Sequence, residues 1–180
     1  MDEKSDSQAE VLCKSCGLCC TGHLFLWAKL RPSELDPAEA LGMTVFRSDP
    51  GQRGFSQPCP LWRGQCTIYD LPQYPHVCRA YKCKLLKQVI ADQTSLTAAL
   101  QVVEQAKAVI QELDVSLPHA PGPNFRERLV SYLEHQQRVE STRSRQGRTD
   151  LRLRQRAEGL LAFYEEVFGV DDLIEKADEP

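Results

Sequence analysis

The chain has 180 residues, with 22 Lys and Arg against 25 Asp and Glu, for a formal charge of −3. That length suits one domain of about 150 residues with a small appendage rather than two full cores, and the charge balance excludes a protein that is basic overall. An apolar share of 42% with a charged share of 26% excludes wholesale disorder.

In chain order, residues 1–10 read as an unstructured acidic lead-in, with Asp2, Glu3, Asp6 and Glu10 against Lys4. They lack the basic start and apolar run of a secretory leader. The apolar stretch Leu24–Leu30 is interrupted by Lys29 and followed by Arg31, far short of the ~20 apolar residues that cross a membrane. A cytoplasmic protein with no membrane partner is the expectation. Residues 11–83 hold seven of the eleven prolines and both tryptophans, Trp27 and Trp62, which is the composition of loops. Within them Leu24–Leu26 and Trp27 suggest a short strand or turn. Pro32-Ser33-Glu34-Leu35 reads as the start of a short helix, capped by Ser33 or Asp36.

Past Cys83 the apolar period becomes helical. Leu85, Leu86, Val89 and Ile90 form one face; Leu96, Ala99, Leu100, Val103, Ala106, Ile110 and Leu113 form a longer one, entered through Thr94 or Ser95. The run from Leu117 to Pro123 is a breaker and linker. Asn124 caps a third helix with Phe125, Leu129, Tyr132 and Leu133 on one face. A last helix begins at Thr149 or Asp150, carries Leu153, Ala157, Leu160, Leu161, Tyr164 and Phe168, and stops at Gly169. The expected class is mainly α, with a loop-rich cysteine or metal module: a small irregular α+β front half and a helical C-terminal half. The expected division is a lead-in over 1–10, a cysteine-cluster domain over 11–90 and a helical region over 91–180.

The eight cysteines are the unusual feature: Cys13, Cys16, Cys19, Cys20, Cys59, Cys66, Cys78 and Cys83, with none after residue 83. In a reducing cytosol, closely spaced thiols are read first as metal ligands or redox groups rather than as disulfides. Cys13-Lys-Ser-Cys16-Gly-Leu-Cys19-Cys20 overlaps two C-x2-C units and adds one more cysteine. A C-x2-C turn aims two sulfurs at one ion, and Gly17 relieves the crowding after Cys16. Adjacent Cys19 and Cys20 point in different directions, which suggests two neighbouring metals or a ligand beside a second thiol. The other four stand in Pro58-Cys59-Pro60-Leu61, Cys66-Thr-Ile68-Tyr69 and Pro75-His-Val-Cys78-Arg79-Ala-Tyr81-Lys-Cys83.

In this order, over roughly Leu12–Lys84, the motifs resemble the YkgJ-like cysteine-cluster family, the CxxCxxCC domain described as chelating zinc or iron. The resemblance places the family's cysteines on all eight of these, with Pro60, Ile68, Tyr69, Pro75, Arg79 and Tyr81 as framework. One departure is the family's Tyr-x-x-Arg-Pro, which here is Tyr69-Asp-Leu-Pro-Gln-Tyr74-Pro75, with Tyr74 where Arg is usual. Some family members are flagellin lysine methylases described as carrying an iron–sulfur cluster, so the resemblance leans toward iron and leaves zinc open. The implied function is a metal-binding, structural or cluster-carrying module. A redox enzyme or accessory subunit using an iron–sulfur cluster is the alternative.

Zinc takes four thiolates in a closed tetrahedron, so eight cysteines divide into two such sites or one binuclear site. An iron–sulfur cluster takes four as well, and C-x2-C-x2-C with a remote Cys-Pro is a [4Fe–4S] arrangement. By spacing, Cys13, Cys16, Cys19 and Cys59 suit that scheme, and Cys20, Cys66, Cys78 and Cys83 are left for a second metal. His23 and His76 lie close to cysteines but read as loop histidines, since eight thiols already satisfy two sites; His119 and His135 read as solvated.

No catalytic motif is found. The chain has no phosphate-binding glycine loop, no G-x-S-x-G elbow and no glycine-rich strand–loop of a methylase, so that activity is not carried over. Charge is uneven. Arg138–Arg156 has seven Arg against Glu140 and Asp150, a balance of +5, and residues 157–180 carry eight acids against Lys176, a balance of −7. Clustered Arg offers a third reading, a nucleic-acid face. It lacks interleaved aromatics, and a solvated helix face with local ion pairs is the simpler account. The apolar stripes of the C-terminal helices supply core and leave room for a protein partner.

Overall fold

A computed structural model describes residues 7–49, 51–118, 124–140 and 148–170. The chain is mainly helical, with a small three-stranded antiparallel sheet in its front half. It divides into two compact units, Met1–Leu100 and Gln101–Pro180.

The first unit opens with α1 (Gln8–Cys16), which begins inside the segment expected to be an unstructured lead-in. The reason is a capping box: the Glu10 N–H donates to Ser7 Oγ at 3.3 Å and the Ser7 N–H to Glu10 Oε2 at 2.7 Å. Residues 1–6 of that lead-in lie outside the described residues. Gly17 ends α1 in the left-handed conformation at φ 74.

Strand β1 (Trp27–Lys29) pairs antiparallel with β3 (Gly54–Ser56), which also pairs with β2 (Val45–Phe46). Phe55 faces Ala28 and Val45 across the two ladders and is 1% exposed. It joins Leu30, Leu35, Ala38, Met43 and Ile68 in one small apolar cluster. Between β1 and β2 runs a 3-10 turn (Pro32–Glu34) leading into α2 (Leu35–Ala40). Neither Ser33 nor Asp36 caps it. Instead the Glu34 carboxylate accepts the Arg31 N–H at 2.8 Å, with Pro32 in the first position where no donor is needed.

Two short helices follow, α3 (His76–Ala80) and α4 (Lys84–Ile90), and α4 packs on α1. Leu85, Leu86 and Val89 are buried as their spacing predicts, but Ile90 is 49% exposed because α4 ends there, a turn too short to carry its stripe further.

Helix α5 (Leu96–Ser116) starts at Ser95, whose Oγ accepts the Ala98 N–H at 3.2 Å. Its central residues Ala99, Val103, Ala106, Ile110 and Leu113 are all buried. In the second unit α6 (Phe125–Glu140) is capped by Asn124, whose Oδ1 accepts the Glu127 N–H at 3.0 Å. Helix α7 (Arg148–Phe163) packs on α6 and runs on into a π-helical turn (Tyr164–Phe168), after which Gly169 at φ 70 stops the helix. Phe125, Leu129, Tyr132, Leu133, Ala157, Leu160, Tyr164 and Phe168 are buried, so the apolar stripes read from the sequence are the buried faces.

Candidate metal centre

All eight cysteines lie in the first unit, half-buried and unpaired by disulfides. Cys13 and Cys16 stand three residues apart in the last turn of α1, hence on one face of that helix. The chain then reverses. Gly17 O accepts the Thr21 N–H at 2.8 Å and Thr21 Oγ1 at 2.9 Å, and Leu18 O accepts the His23 N–H at 3.0 Å. Leu18 is fully buried and anchors this turn, which carries Cys19 and Cys20. A Cβ on Gly17 would lie 2.1 Å from the Trp62 ring, so only glycine lets the indole lie against the backbone here.

A later segment returns to α1 and to this turn. The Cys59 N–H donates to Cys20 O at 2.7 Å, and the Cys66 N–H to Lys14 O at 3.4 Å. Trp62 and Cys66 form a β-bridge that closes the loop between Cys59 and Cys66. Lys14, inside the first C-x2-C, reaches Asp70 at 2.8 Å and lies over the Tyr69 ring at 4.8 Å.

The thiols lie close enough to act on one another. Burial pushes the Cys13 thiol up to about 11, with Cys83 and then Cys66 adding to it. Burial pushes Cys78 up to about 12, reinforced by Cys59, Cys66 and Cys13. Cys19 and Cys20 are raised by the same two causes, Cys19 through Cys16, Cys20, Cys83 and Cys13, and Cys20 through Cys66, Cys59, Cys78 and Cys13. Every cysteine of the chain thus belongs to one electrostatic neighbourhood. So many thiols cannot all ionise together unless a cation shares the site.

Three of them sit in turns that favour the thiolate. Cys59 receives the N–H groups of Leu61 and Trp62, Cys66 those of Ile68 and Tyr69, and Cys83 those of Leu85 and Leu86, each opposing the rise that burial causes. For Cys83 the Leu86 N–H stands 3.4 Å from Sγ, and the thiol serves as the N-cap of α4. Backbone donors on sulfur are the usual surroundings of a metal-bound thiolate. In kind, thiols with such backbone donors are ligands that zinc and iron accept. As they stand, no group of three or more His, Cys, Asp or Glu among the described residues is arranged to hold a metal ion.

The histidines contribute less. His23 is half-buried, and burial lowers it to about 4, which keeps the imidazole neutral. His76 is exposed at the start of α3, where its backbone N–H donates to Glu34 Oε1 at 2.7 Å. His135 is exposed on α6, and His119 lies outside the described residues.

Tyr74 is the residue that motif spacing undervalues. It packs beside the apolar cluster with Cys59, Cys66 and Cys78, donates its OH to Cys78 O at 3.2 Å and stacks on Tyr69 at 5.0 Å. Arg79 lies over its ring at 5.1 Å. Burial raises its hydroxyl above the ordinary tyrosine value, and nearby Cys13 and Cys78 add to the rise. The only hint in the sequence is that a tyrosine stands where the resemblance expects arginine. In comparisons with known proteins, no family model matches this chain, and no curated protein or solved structure matches it either.

Proposed function

We propose that the protein binds metal through Cys13, Cys16, Cys19, Cys20, Cys59, Cys66, Cys78 and Cys83, as a structural or cluster-carrying module. The observation that carries this reading is the return of the Cys59–Cys66 loop to α1 and the turn after it, with the Cys59 N–H on Cys20 O and the Cys66 N–H on Lys14 O, and with backbone donors on the sulfurs of Cys59, Cys66 and Cys83. An iron–sulfur cluster, [4Fe–4S] first, or zinc suits such a donor set. The cysteines would be the ligands, and Tyr74, Lys14 and Trp62 would enclose them. The metal would supply Lewis acidity or, as a cluster, electron transfer. What the chain itself does is deliver thiolates, exclude water with Leu18, Trp62 and Tyr74, and exchange thiol protons for the ion. Ligation would then supply folding free energy to a region built of strands of two or three residues and short helices.

The test is the content of anaerobically purified protein. Iron with labile sulfide and visible thiolate-to-iron absorption identifies a cluster and opens the redox alternative. Colourless protein with stoichiometric zinc identifies the structural alternative. Protein that binds neither metal overturns the reading.

The nucleic-acid alternative loses support from the ion pairs of the Arg-rich stretch. Arg154 bonds Glu158 at 2.7 Å, Arg138 lies 3.7 Å from Glu134, and Arg156 pairs with Glu112. These guanidinium groups already face carboxylates. No described helix is long and apolar enough to cross a membrane.

A further inference from the structure

Granting that the cysteines bind metal, we infer that they form two four-thiolate sites, Cys13, Cys16, Cys19 and Cys83 in one and Cys20, Cys59, Cys66 and Cys78 in the other. This assignment exchanges Cys59 and Cys83 relative to the division that spacing along the chain suggests. It rests on how the fold returns each loop.

Cys59, Cys66 and Cys78 pack together against the same apolar cluster, the one built on Phe55 and Ile68, whereas Cys83 is not part of it. The backbone bond from Cys59 N–H to Cys20 O brings Cys20 to that group. Cys83 caps the N-terminus of α4, and α4 packs on α1, whose last turn holds Cys13 and Cys16. Cys19 follows one short turn after Cys16. Consecutive side chains at Cys19 and Cys20 thereby serve different sites, which explains why the motif ends in a doubled cysteine.

The experiment follows thiol protection in the full-length protein as isolated. EDTA is added in steps, each followed by a pulse of N-ethylmaleimide, and labelled positions are read by mass spectrometry. The expected course is loss of protection in blocks: a species labelled at four of the eight cysteines, either Cys13, Cys16, Cys19 and Cys83 or the other four. In parallel, Cys83→Ser exposes Cys13, Cys16 and Cys19 but leaves Cys20, Cys59, Cys66 and Cys78 protected, and Cys78→Ser exposes Cys20, Cys59 and Cys66 but leaves Cys13, Cys16, Cys19 and Cys83 protected. Labelling of Cys59 together with Cys13, Cys16 and Cys19 while Cys83 stays protected overturns the assignment. So does labelling of all eight in one step, which means a single polynuclear site. The wild-type series decides even where a Ser variant does not fold. Equal labelling of all eight cysteines before any chelator is added is a different failure, because it removes the metal reading itself.

Discussion

The two units of this protein reach order by different physical routes. In the second unit, helices α6 and α7 bury continuous apolar stripes with Leu129, Tyr164 and Phe168 nearly inaccessible, and their exposed faces carry ion pairs such as Arg154–Glu158. Hydrophobic burial is sufficient explanation there. The first unit has strands of two or three residues, short helices and six residues in its apolar cluster. Other aliphatic residues such as Leu12, Leu18, Leu24 and Leu85 are buried in this unit too, but eight half-buried thiols, which are weak hydrophobes, share its interior. The lesson is that one chain can join a unit ordered by long apolar stripes to one in which short elements and cysteines share the interior, and on the proposed reading the order of the latter would depend on what the cysteines hold.

On the proposed reading, that contrast is broken most severely by withdrawing the metal that the cysteines would hold. Chelator treatment, or Cys16→Ser, is expected to unfold residues 11–83 while the helical signal of residues 95–168 largely persists, as followed by circular dichroism with limited proteolysis. Melting that is indifferent to both treatments would erase the distinction between the units.

Acid is the next largest lever, and its sign follows from the thiols. Without metal, Cys13 ionises only near 11 and Cys78 near 12, so both are fully protonated at neutral pH. On the proposed reading, metal uptake would expel these protons, and affinity would rise with pH by about 1.4 kcal/mol per pH unit for each proton displaced. Dialysis at pH 5 is expected to strip metal that pH 8 retains, with no matching loss in the helical unit. Metal content and helical melting measured side by side check both halves of this expectation.

Within the helical unit, Leu129→Ala deletes a side chain with no exposed surface and is expected to cost about 2–5 kcal/mol in denaturant unfolding while metal content stays constant. The smaller effect is Gly17→Ala. Its Cβ would lie 2.1 Å from the Trp62 ring on backbone at φ 74, for a loss of about 2 kcal/mol confined to the first unit. It should appear as earlier metal loss in a chelator titration, and unchanged retention would refute the packing role given to Gly17.

The sequence was readable where one short-range rule decides the outcome. Asn124 and Ser95 cap helices because their side chains meet an N–H three residues on, and Gly169 stops one because it adopts positive φ freely. Helix α1 escaped because its apolar period is weak, with Leu12 alone buried; the signal present was Ser7 followed by Glu10. Ile90 matched the period but lies where the helix ends. For the candidate site, the motifs named the cysteines, but which loop lies beside which depends on bonds such as Cys59 to Cys20, between residues far apart in the chain. Tyr74 was invisible as a neighbour of the thiols for the same reason.

The indole that lies against Gly17 has an optical consequence. Trp62 is one of only two tryptophans, and it joins the Cys16–Cys19 turn to Cys66 through both its ring and its backbone bridge. The other, Trp27, stacks edge-on with Phe46 at the sheet. In a Trp27→Phe chain, all indole fluorescence would come from the wall of the thiol cluster, making the protein its own reporter of whether that cluster is closed.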